Sequence, residues 1–320
     1  MKPAMKASLL ALAVVALAVL ALYAKRSEVY LLTLYCVYLM ATFGLNLTAG
    51  YAGQMSLGQA AFLGIGAYIG ALSLKAGIPF LLVLPMAATA CFVIGLLVGF
   101  PALRVQHHYL AFATLGFNVL VFLAMRNEEQ ITGGTFGISS IPRPTILGID
   151  LSGHVAYFYL TLGALLVLGF ALWWLLRSPW GRAFAALRDN PIRAESLGVN
   201  ITAYTLLAFA IGAACAGIGG VFYASLVEFI EPGPFHFSTS LLMLLAVIVG
   251  GSGRFFGPVV GTFIIVLLPE LLRGSTVPWL KFMQTWYLAV FGASVVVLMI
   301  WLPGGLLSIP DRFRRSRSAK

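Results

Sequence analysis

Charge is the scarcest property of this 320-residue sequence, because only 9% of its residues are Asp, Glu, Lys or Arg and 61% are hydrophobic. An average soluble domain carries about 25% charged residues. The composition therefore predicts an all-α polytopic membrane protein, a single transmembrane domain over residues 1–320. Basic residues outnumber acidic ones, 20 to 10, and cluster in short loops and near the C-terminus. That placement is typical of positive-inside topology and of contact with lipid head groups, not of nucleic-acid binding.

The motifs of enzymatic chemistry are missing as well. No Gly-Lys dipeptide occurs, so the chain has no P-loop and is not expected to hydrolyse ATP itself. HExxH, GxSxG and EF-hand spacings are absent, and the three cysteines lie singly inside apolar runs. We predict no catalytic residue, no metal site and no cofactor. An intramembrane enzyme would have to use the adjacent pair His107 and His108, which we interpret as interfacial residues at a helix entrance.

Carboxylates are also missing from the interior of the apolar runs, since Glu228, Glu231 and Glu270 all fall at the ends of such runs. Ion-coupled transporters usually keep a carboxylate at membrane depth, where a charge costs at least about 2.5 kcal/mol and is retained for function. Active transport by this chain would therefore draw its energy from a partner protein. Ion coupling through the carbonyl groups of a broken helix stays open as an alternative.

Apolar runs of spanning length dominate what is present, and a bilayer requires about 17 to 25 such residues. The clear runs are Ala7–Tyr23, Tyr30–Thr48, Pro79–Phe100, His107–Met125, Ala156–Leu176, Ala203–Leu226 and Gln284–Leu302. Further runs are short or interrupted by glycine, which predicts broken or re-entrant helices: Gly53–Leu74, Ser238–Gly250 and Gly257–Leu272. We expect about nine or ten crossings.

Lys and Arg in the short loops predict the orientation. The basic loop, Arg177–Thr202, and the tail, residues 303–320, are rich in Arg, so both are expected to be cytoplasmic. The loops that contain Glu128 and Glu228 then face outward.

Upstream of Pro79 the charges do not decide between two topologies. If Gly53–Leu74 is re-entrant, Lys25 and Arg26 lie inside. If it spans, the N-terminus lies inside with Lys2 and Lys6.

The basic loop contains the sequence SPWGRAFAALRDNPIRAESLGVN. Ser178-Pro179 and Asn190-Pro191 each predict the start of a short helix, and Gly198 ends the second one. Trp180, Phe184 and Leu187 recur at helical spacing along one face of the first helix. Such an amphipathic helix pair is either a docking element or a membrane-surface element, and the pattern favours neither.

The polar segment, Asn46–Tyr68, reads NLTAGYAGQMSLGQAAFLGIGAY. Its Gln54, Ser56 and Gln59 are uncharged hydrogen-bonding groups at apolar depth, a lining that suits a small zwitterion or an amide. The alternative is that its glycines simply permit tight helix packing. Thr114 and Asn118, in the run that begins at His107, face the same pathway or bond to neighbouring backbone.

The glycine loop, Val249–Gly261, reads VGGSGRFFGPVVG. No strand precedes it, so it is not a nucleotide-binding fingerprint. We interpret it as a cytoplasmic turn between two half-length helices.

Taken together, the basic loop, the polar segment and the glycine loop resemble those of the permease subunits of branched-chain amino acid ABC importers, the LivM-like group. The resemblance extends from about Tyr30 to Pro310. It implies an ABC importer permease fold in a bacterial cytoplasmic membrane, with two cytoplasmic ATPases that consume the ATP, a second similar permease and an extracytoplasmic binding protein. The group's usual Glu-Ala-Ala and Gly coupling pattern appears here only loosely, around Glu195.

The resemblance also implies roles for residues. ATPase coupling falls to residues of the basic loop: Arg182, Arg188, Asp189, Arg193, Glu195 and Gly198. The resemblance places Gln54, Ser56 and Gln59 in the translocation pathway, and our predicted pathway set adds Asn46, Thr114 and Asn118. The expected cargo is a branched-chain or related hydrophobic amino acid. Permeases for urea or short-chain amides share these motifs, and a stand-alone secondary transporter or channel is the rival from another class.

Overall fold

The computed structural model describes residues 21–102, 107–146, 149–267 and 305–306. The predicted run Gln284–Leu302, most of Ala7–Tyr23 and nearly all of the tail 303–320 lie outside the described residues. The total of nine or ten crossings, and the position of the N-terminus, therefore stay predictions. The side chains of His107 and His108 lie outside the described part as well.

Helices dominate the described chain and confirm the all-α polytopic class. Five helical stretches are long and apolar enough to cross a membrane: Arg26–Tyr51, Phe80–Pro101, Leu110–Asn127, His154–Arg177 and Ile201–Val227. A two-stranded antiparallel ribbon, in which Ile146 pairs with Ile149, is a minor exception in the loop before His154.

The elements follow one another in this order: α1 (Arg26–Leu45) with a π-turn (Asn46–Tyr51), α2 (Gln59–Lys75), α3 (Phe80–Ala102), α4 (His107–Asn127), α5 (Glu129–Thr132), a 3-10 turn (Gly134–Phe136), β1 (Thr145–Ile146), β2 (Ile149–Asp150), α6 (His154–Arg177), α7 (Pro179–Asp189), α8 (Pro191–Ser196), α9 (Ile201–Val227), a 3-10 turn (Gly233–Phe235), α10 (Phe237–Gly251), α11 (Gly257–Thr262) and a π-turn (Phe263–Leu267).

The apolar helix α9 forms the centre of the bundle and packs against α1, α2 and α3. Glycines allow this close approach, because a Cβ added at Gly66 would overlap the carbonyl oxygen of Gly217 and one at Gly44 would overlap that of Gly212. Small residues at helix crossings are how membrane helices gain van der Waals contact. Tight packing is therefore one role of the glycines in the polar segment.

We expect Gly66→Ala to destabilise the protein, because α2 and α9 would have to separate to admit a methyl group. Overpacking of this kind costs about 1–3 kcal/mol. Gly163→Ala in α6 is the matched control, since its Cβ would meet nothing within 4 Å. Thermal unfolding in detergent should show a lower midpoint for Gly66→Ala and an unchanged or higher one for Gly163→Ala; equal midpoints would contradict a packing role for Gly66.

The stretch of residues 53–75, which includes most of the polar segment and all of α2, extends from one end of the bundle to the other. Near its start, a Cβ at Gly53 would lie 3.4 Å from Cα of Arg188 in the basic loop. At the end of α2, Lys75 Nζ donates to the carbonyl oxygen of Ser139, 3.1 Å away in the loop between α4 and α6. We call these the basic-loop end and the far end. This path fits the spanning alternative, and Lys25 and Arg26 lie at the far end with Glu228; the crossing itself stays a prediction.

The short helices predicted in the basic loop are present, each with the predicted cap. Ser178 Oγ accepts the Trp180 N–H at 3.2 Å at the start of α7, and Asn190 Oδ1 accepts the Arg193 N–H at 3.0 Å at the start of α8. Gly198 follows α8 in the left-handed region with φ of +85°. The pattern of capping residues was therefore sufficient to locate both helices.

Candidate functional site

Two helix breaks lie side by side at the basic-loop end. In the first, α1 loosens into the π-turn Asn46–Tyr51, and residues 52–58 are not helical before α2 begins at Gln59. The second is the turn at residues 252–256 between α10 and α11, which is the turn predicted for the glycine loop. Broken helices inside a bundle leave backbone groups without helical partners, so side chains have to supply them.

Arg188 joins both breaks to the basic loop. Its Nη1 donates to the carbonyl oxygen of Gly50 at 2.6 Å and more weakly to that of Ser252 at 3.5 Å. A guanidinium presents several donors in a fixed plane, which suits it to carbonyl groups that face it from two segments. Arg188 therefore forms a direct polar link from α7 to the ends of α1 and α10.

Asn46 links the two breaks to each other. Its Nδ2 donates to the carbonyl oxygen of Arg254, and its Oδ1 accepts the Gly253 N–H, each at 3.0 Å. The side chain is buried, with 2% of its surface exposed. A Cβ at Gly50 would overlap this amide oxygen, so glycine is required where the π-turn passes it. One amide thus satisfies both a donor and an acceptor of the glycine loop.

The start of α2 lies deeper in the bundle and is held by other helices. The Ala60 N–H donates to Ser240 Oγ in the first turn of α10 at 2.8 Å, and the Leu57 N–H donates to Thr114 Oγ1 in α4 at 2.9 Å. The first N–H groups of a helix have no partner within the helix. Hydroxyl groups of α10 and α4 therefore take the place that water would have at a surface.

Amide side chains complete this inner network. Gln59 Nε2 donates to the carbonyl oxygens of Ala41 at 2.8 Å and Gly212 at 3.1 Å, which ties α2 to α1 and α9. Asn118 Nδ2 donates to the carbonyl oxygen of Phe235 at 3.3 Å, and its Oδ1 lies 3.5 Å from Ser240 Oγ. Every group in the network is uncharged.

The predicted pathway residues are thus all buried, but they fall into two groups. Asn46 belongs to the breaks at the basic-loop end, whereas Gln59, Thr114 and Asn118 belong to the network around the start of α2. Ser56 accepts the Gly58 N–H at 3.3 Å, and Gln54 has 7% of its surface exposed. Contact with backbone, one of the two roles foreseen for Thr114 and Asn118, is the role observed; a role in solute passage stays a prediction.

The predicted coupling residues lie on the outer surface of the basic loop. These are exposed: Arg182, Arg188, Asp189, Arg193, Glu195 and Gly198. Arg188 differs from the others in reaching back to the helix breaks. Phe184 and Leu187 are buried, but Trp180, predicted on the same face, has 46% of its surface exposed. The face of α7 that packs on the bundle is therefore narrower than the periodicity indicates.

Sequence reasoning missed Ser240 and the pair Thr42 and Thr262. The hydroxyl groups of Thr42 and Thr262 lie 2.8 Å apart and are both buried. Their hydrogen bond joins α1 to α11. Single Ser and Thr residues in apolar runs are common, so composition alone does not mark them. The only signal for Ser240 is its position in the first turn of a half-length helix.

A bundle of membrane-length helices with paired breaks, buried polar residues that are uncharged in the described part, and a basic loop tied to those breaks is the architecture of a membrane transport protein. The family model for the permease component of branched-chain amino acid transport systems matches residues 27–299. The chain belongs to this family.

Curated relatives agree with the family match. The high-affinity branched-chain amino acid transport system permease protein LivM of Salmonella typhimurium is 36% identical over 321 residues, 92% of this chain and 74% of the relative. LivM of Escherichia coli strain K12 is 36% identical over 306 residues, 88% and 70% of the two chains. The autoinducer 2 import system permease protein LsrC of Escherichia coli is 26% identical over 252 residues, 74% and 69% of the two chains. No solved structure matches.

Proposed function

We propose that this chain is the permease subunit of an ATP-driven importer that carries branched-chain or related hydrophobic amino acids into the cytoplasm of a bacterium. In this proposal the whole chain is one permease domain of the cytoplasmic membrane. Residues 177–202 are its cytoplasmic coupling segment, and the tail 303–320 lies on the same side. ATP is hydrolysed by two partner ATPases, and a second permease and an external binding protein complete the transporter.

The link from Arg188 to Gly50 and Ser252 is the observation that carries the mechanism. When the ATPases close, they displace the basic loop that is docked on them. Because Arg188 holds the end of α1 and the turn after α10, that displacement reaches both helix breaks. The breaks bend more readily than intact helices, so they are where the bundle switches between outward-open and inward-open forms.

The absence of charge among the buried polar residues of the described part supports a separate ATPase as the source of energy. The buried polar residues of the described part are all uncharged. A carboxylate at membrane depth, the usual group for ion coupling, is therefore not among them. An external ATPase fits this interior better than a stand-alone secondary transporter does.

The cargo is supported by the LivM relatives, whereas the uncharged polar network suits a small zwitterion and an amide equally. Competing radiolabelled leucine with valine, urea and acetamide in the reconstituted transporter would assign it. Inhibition by valine alone supports the proposal. Inhibition by urea would replace it with an amide importer, and autoinducer 2, the cargo named for LsrC, belongs in the same panel.

Docking of the ATPases predicts a measurable role for Ile192, which lies on α8 with 79% of its surface exposed. Buried at an ATPase interface, an apolar anchor of this size contributes about 2 kcal/mol or more. We expect Ile192→Asp to reduce co-purification of the ATPases at least about tenfold, because each 1.4 kcal/mol is a factor of ten. Mass spectrometry of the affinity-purified membrane complex measures this directly.

The matched control is Phe136→Asp, which changes an apolar residue of similar exposure, 83%, at the far end. The Phe136→Asp variant should leave the ATPases bound. The rival, a stand-alone transporter, makes a different prediction: the chain purified alone would take up solute without ATP. If Phe136→Asp lost the ATPases as well, the defect would be in folding and the docking assignment of α8 would fail.

A further inference from the structure

A cleft of about 720 Å³ opens at the far end of the bundle, where α1 and α6 begin and α9 ends. It is separate from the helix breaks and from the network around the start of α2. Among the residues that the structure describes, Lys25, Arg26, Arg143 and His154 line the cleft, and Glu228 is the acidic residue in this lining. Leu226, Val227 and Tyr30 form its apolar wall.

The acidic residue is already engaged. Arg143 Nε lies 2.5 Å from Glu228 Oε1, and the Arg143 side chain has only 13% of its surface exposed. The same guanidinium contacts the carbonyl oxygen of Ser152 and lies 3.3 Å from His154 Nδ1, so it is fixed in place. The Arg143–Glu228 pair is close to neutral, which leaves the charges of Lys25 and Arg26 facing the cleft.

Lys25 and Arg26 also lie at the start of a helix, which affects the positive charge of the cleft. Lys25 stands at the N-cap position of α1 and Arg26 is its first residue, and the Glu28 carboxylate in the first turn accepts the Lys25 N–H at 2.9 Å, which offsets one positive charge. The start of a helix carries a partial positive charge that favours anions and disfavours cations. Lys25, Arg26 and Arg143 still outnumber Glu28 and Glu228, so the mouth of the cleft keeps an excess of positive charge, and charge complementarity favours an anionic occupant.

The surroundings indicate which anion. The cleft lies at the ends of spanning helices, the level at which lipid head groups meet the protein. Leu22 and Tyr23, immediately before the two cations, have 62% and 88% of their surfaces exposed. Basic side chains beside exposed apolar and aromatic ones match a phospholipid, whose phosphate lies next to its acyl chains. A water-soluble anion would leave the apolar wall unused.

We propose that this far-end cleft binds the phosphate of an anionic phospholipid, with Lys25 and Arg26 as the main ligands and Arg143 as a fixed positive charge behind them. The lipid neutralises the cleft and fixes the start of α1 against α9. This inference does not depend on the cargo or on the ATPases.

Native mass spectrometry of the full chain, released from nanodiscs that contain phosphatidylglycerol and phosphatidylcholine in equal amounts, tests the proposal. We expect phosphatidylglycerol to be retained in preference. The double variant Lys25→Gln, Arg26→Gln should lower its affinity at least about tenfold, because each basic residue near an anionic lipid contributes roughly a factor of five. Lys75→Gln, which removes one charge at the same end but outside the cleft, should lower it little.

Each other outcome overturns the proposal. Equal retention of the two lipids, or equal loss in Lys75→Gln and the double variant, would mean a diffuse charge effect. Stabilisation of the chain against heat by inorganic phosphate to the same extent as by phosphatidylglycerol would mean a free-anion site. If the double variant kept its lipid but lost a binding protein added to it, the cleft would be a protein docking site. Circular dichroism and a monodisperse elution profile confirm that the double variant is folded.

Discussion

Replacing Arg188 with glutamate should lower ATP-dependent leucine uptake by the reconstituted transporter at least tenfold while the protein still inserts into the membrane. The 2.6 Å hydrogen bond from Arg188 to Gly50 is lost, and hydrogen bonds to charged groups are worth about 1.5–3 kcal/mol. A carboxylate at this position would also face the carbonyl oxygens of Gly50 and Ser252 and repel them. ATP hydrolysis should continue, because the ATPases stay docked while their movement no longer reaches the breaks.

Arg188→Lys is the matched control, since an ammonium keeps the positive charge and can still donate to Gly50. It should retain a large part of the uptake. Normal uptake by Arg188→Glu would mean that the basic loop acts on the bundle by another route. Loss of the protein from the membrane would assign Arg188 to folding instead of coupling.

Much of this architecture could be predicted from the sequence, because hydrophobic runs and caps are local signals. The run Tyr30–Thr48 predicted α1 closely, and Ser178 and Asn190 located α7 and α8 through their caps. The topology upstream of Pro79 could not be predicted, because the loop charges were equal in both alternatives. In the structure residues 53–75 extend from Arg188 at the basic-loop end to Ser139 at the far end, a path that fits the spanning alternative.

The sequence predicted which polar residues belong to the candidate site, but not the contacts that they make there. Glutamines and asparagines at apolar depth were expected to line a pathway. In the structure Gln59 instead ties α2 to carbonyl oxygens of α1 and α9, and Asn46 supplies partners for backbone groups of the glycine loop. The partners of Arg188 could not have been found, because Gly50 and Ser252 accept through main-chain carbonyls that every residue has. The position of a helix break depends on the packing of the whole bundle. So does the identity of the side chain that supplies hydrogen-bond partners to the backbone groups at the break.

The contacts around the start of α2 and those at the helix breaks suit different roles in the bundle. Side chains around the start of α2 come from α4 and α10 and hold its first turn at depth. At the basic-loop end, Asn46 and Arg188 hold backbone groups of two breaks, and Arg188 belongs to a segment outside the spanning helices. The inner network is suited to stay fixed while the breaks move. Removing the Asn46 hydrogen bonds that join the two breaks should therefore lower both stability and transport.

Asn46→Leu should be among the most damaging single substitutions in the described chain. Leucine is close to asparagine in shape but leaves the Gly253 N–H and the Arg254 carbonyl without their partner in a site where Asn46 is 2% exposed. Each buried group left unpaired costs about 1–3 kcal/mol, so a total of about 2–6 kcal/mol is expected for the two groups. Thermal unfolding should shift to lower temperature, amide hydrogen exchange at residues 252–254 should accelerate, and uptake should fall.

Thr33→Val on the same helix is the control for that experiment. Thr33 is equally buried, but its hydroxyl bonds only to the carbonyl oxygen of Val29 one turn earlier, at 2.7 Å. That oxygen keeps its helical partner, so Thr33→Val should cost under about 1 kcal/mol. If the two variants unfold alike and exchange at residues 252–254 is unchanged, Asn46 does not hold the glycine loop. If only Asn46→Leu loosens that loop while α1 stays protected, the Asn46 amide is the contact that holds the glycine loop against the end of α1, as expected at the hinge of an alternating-access bundle.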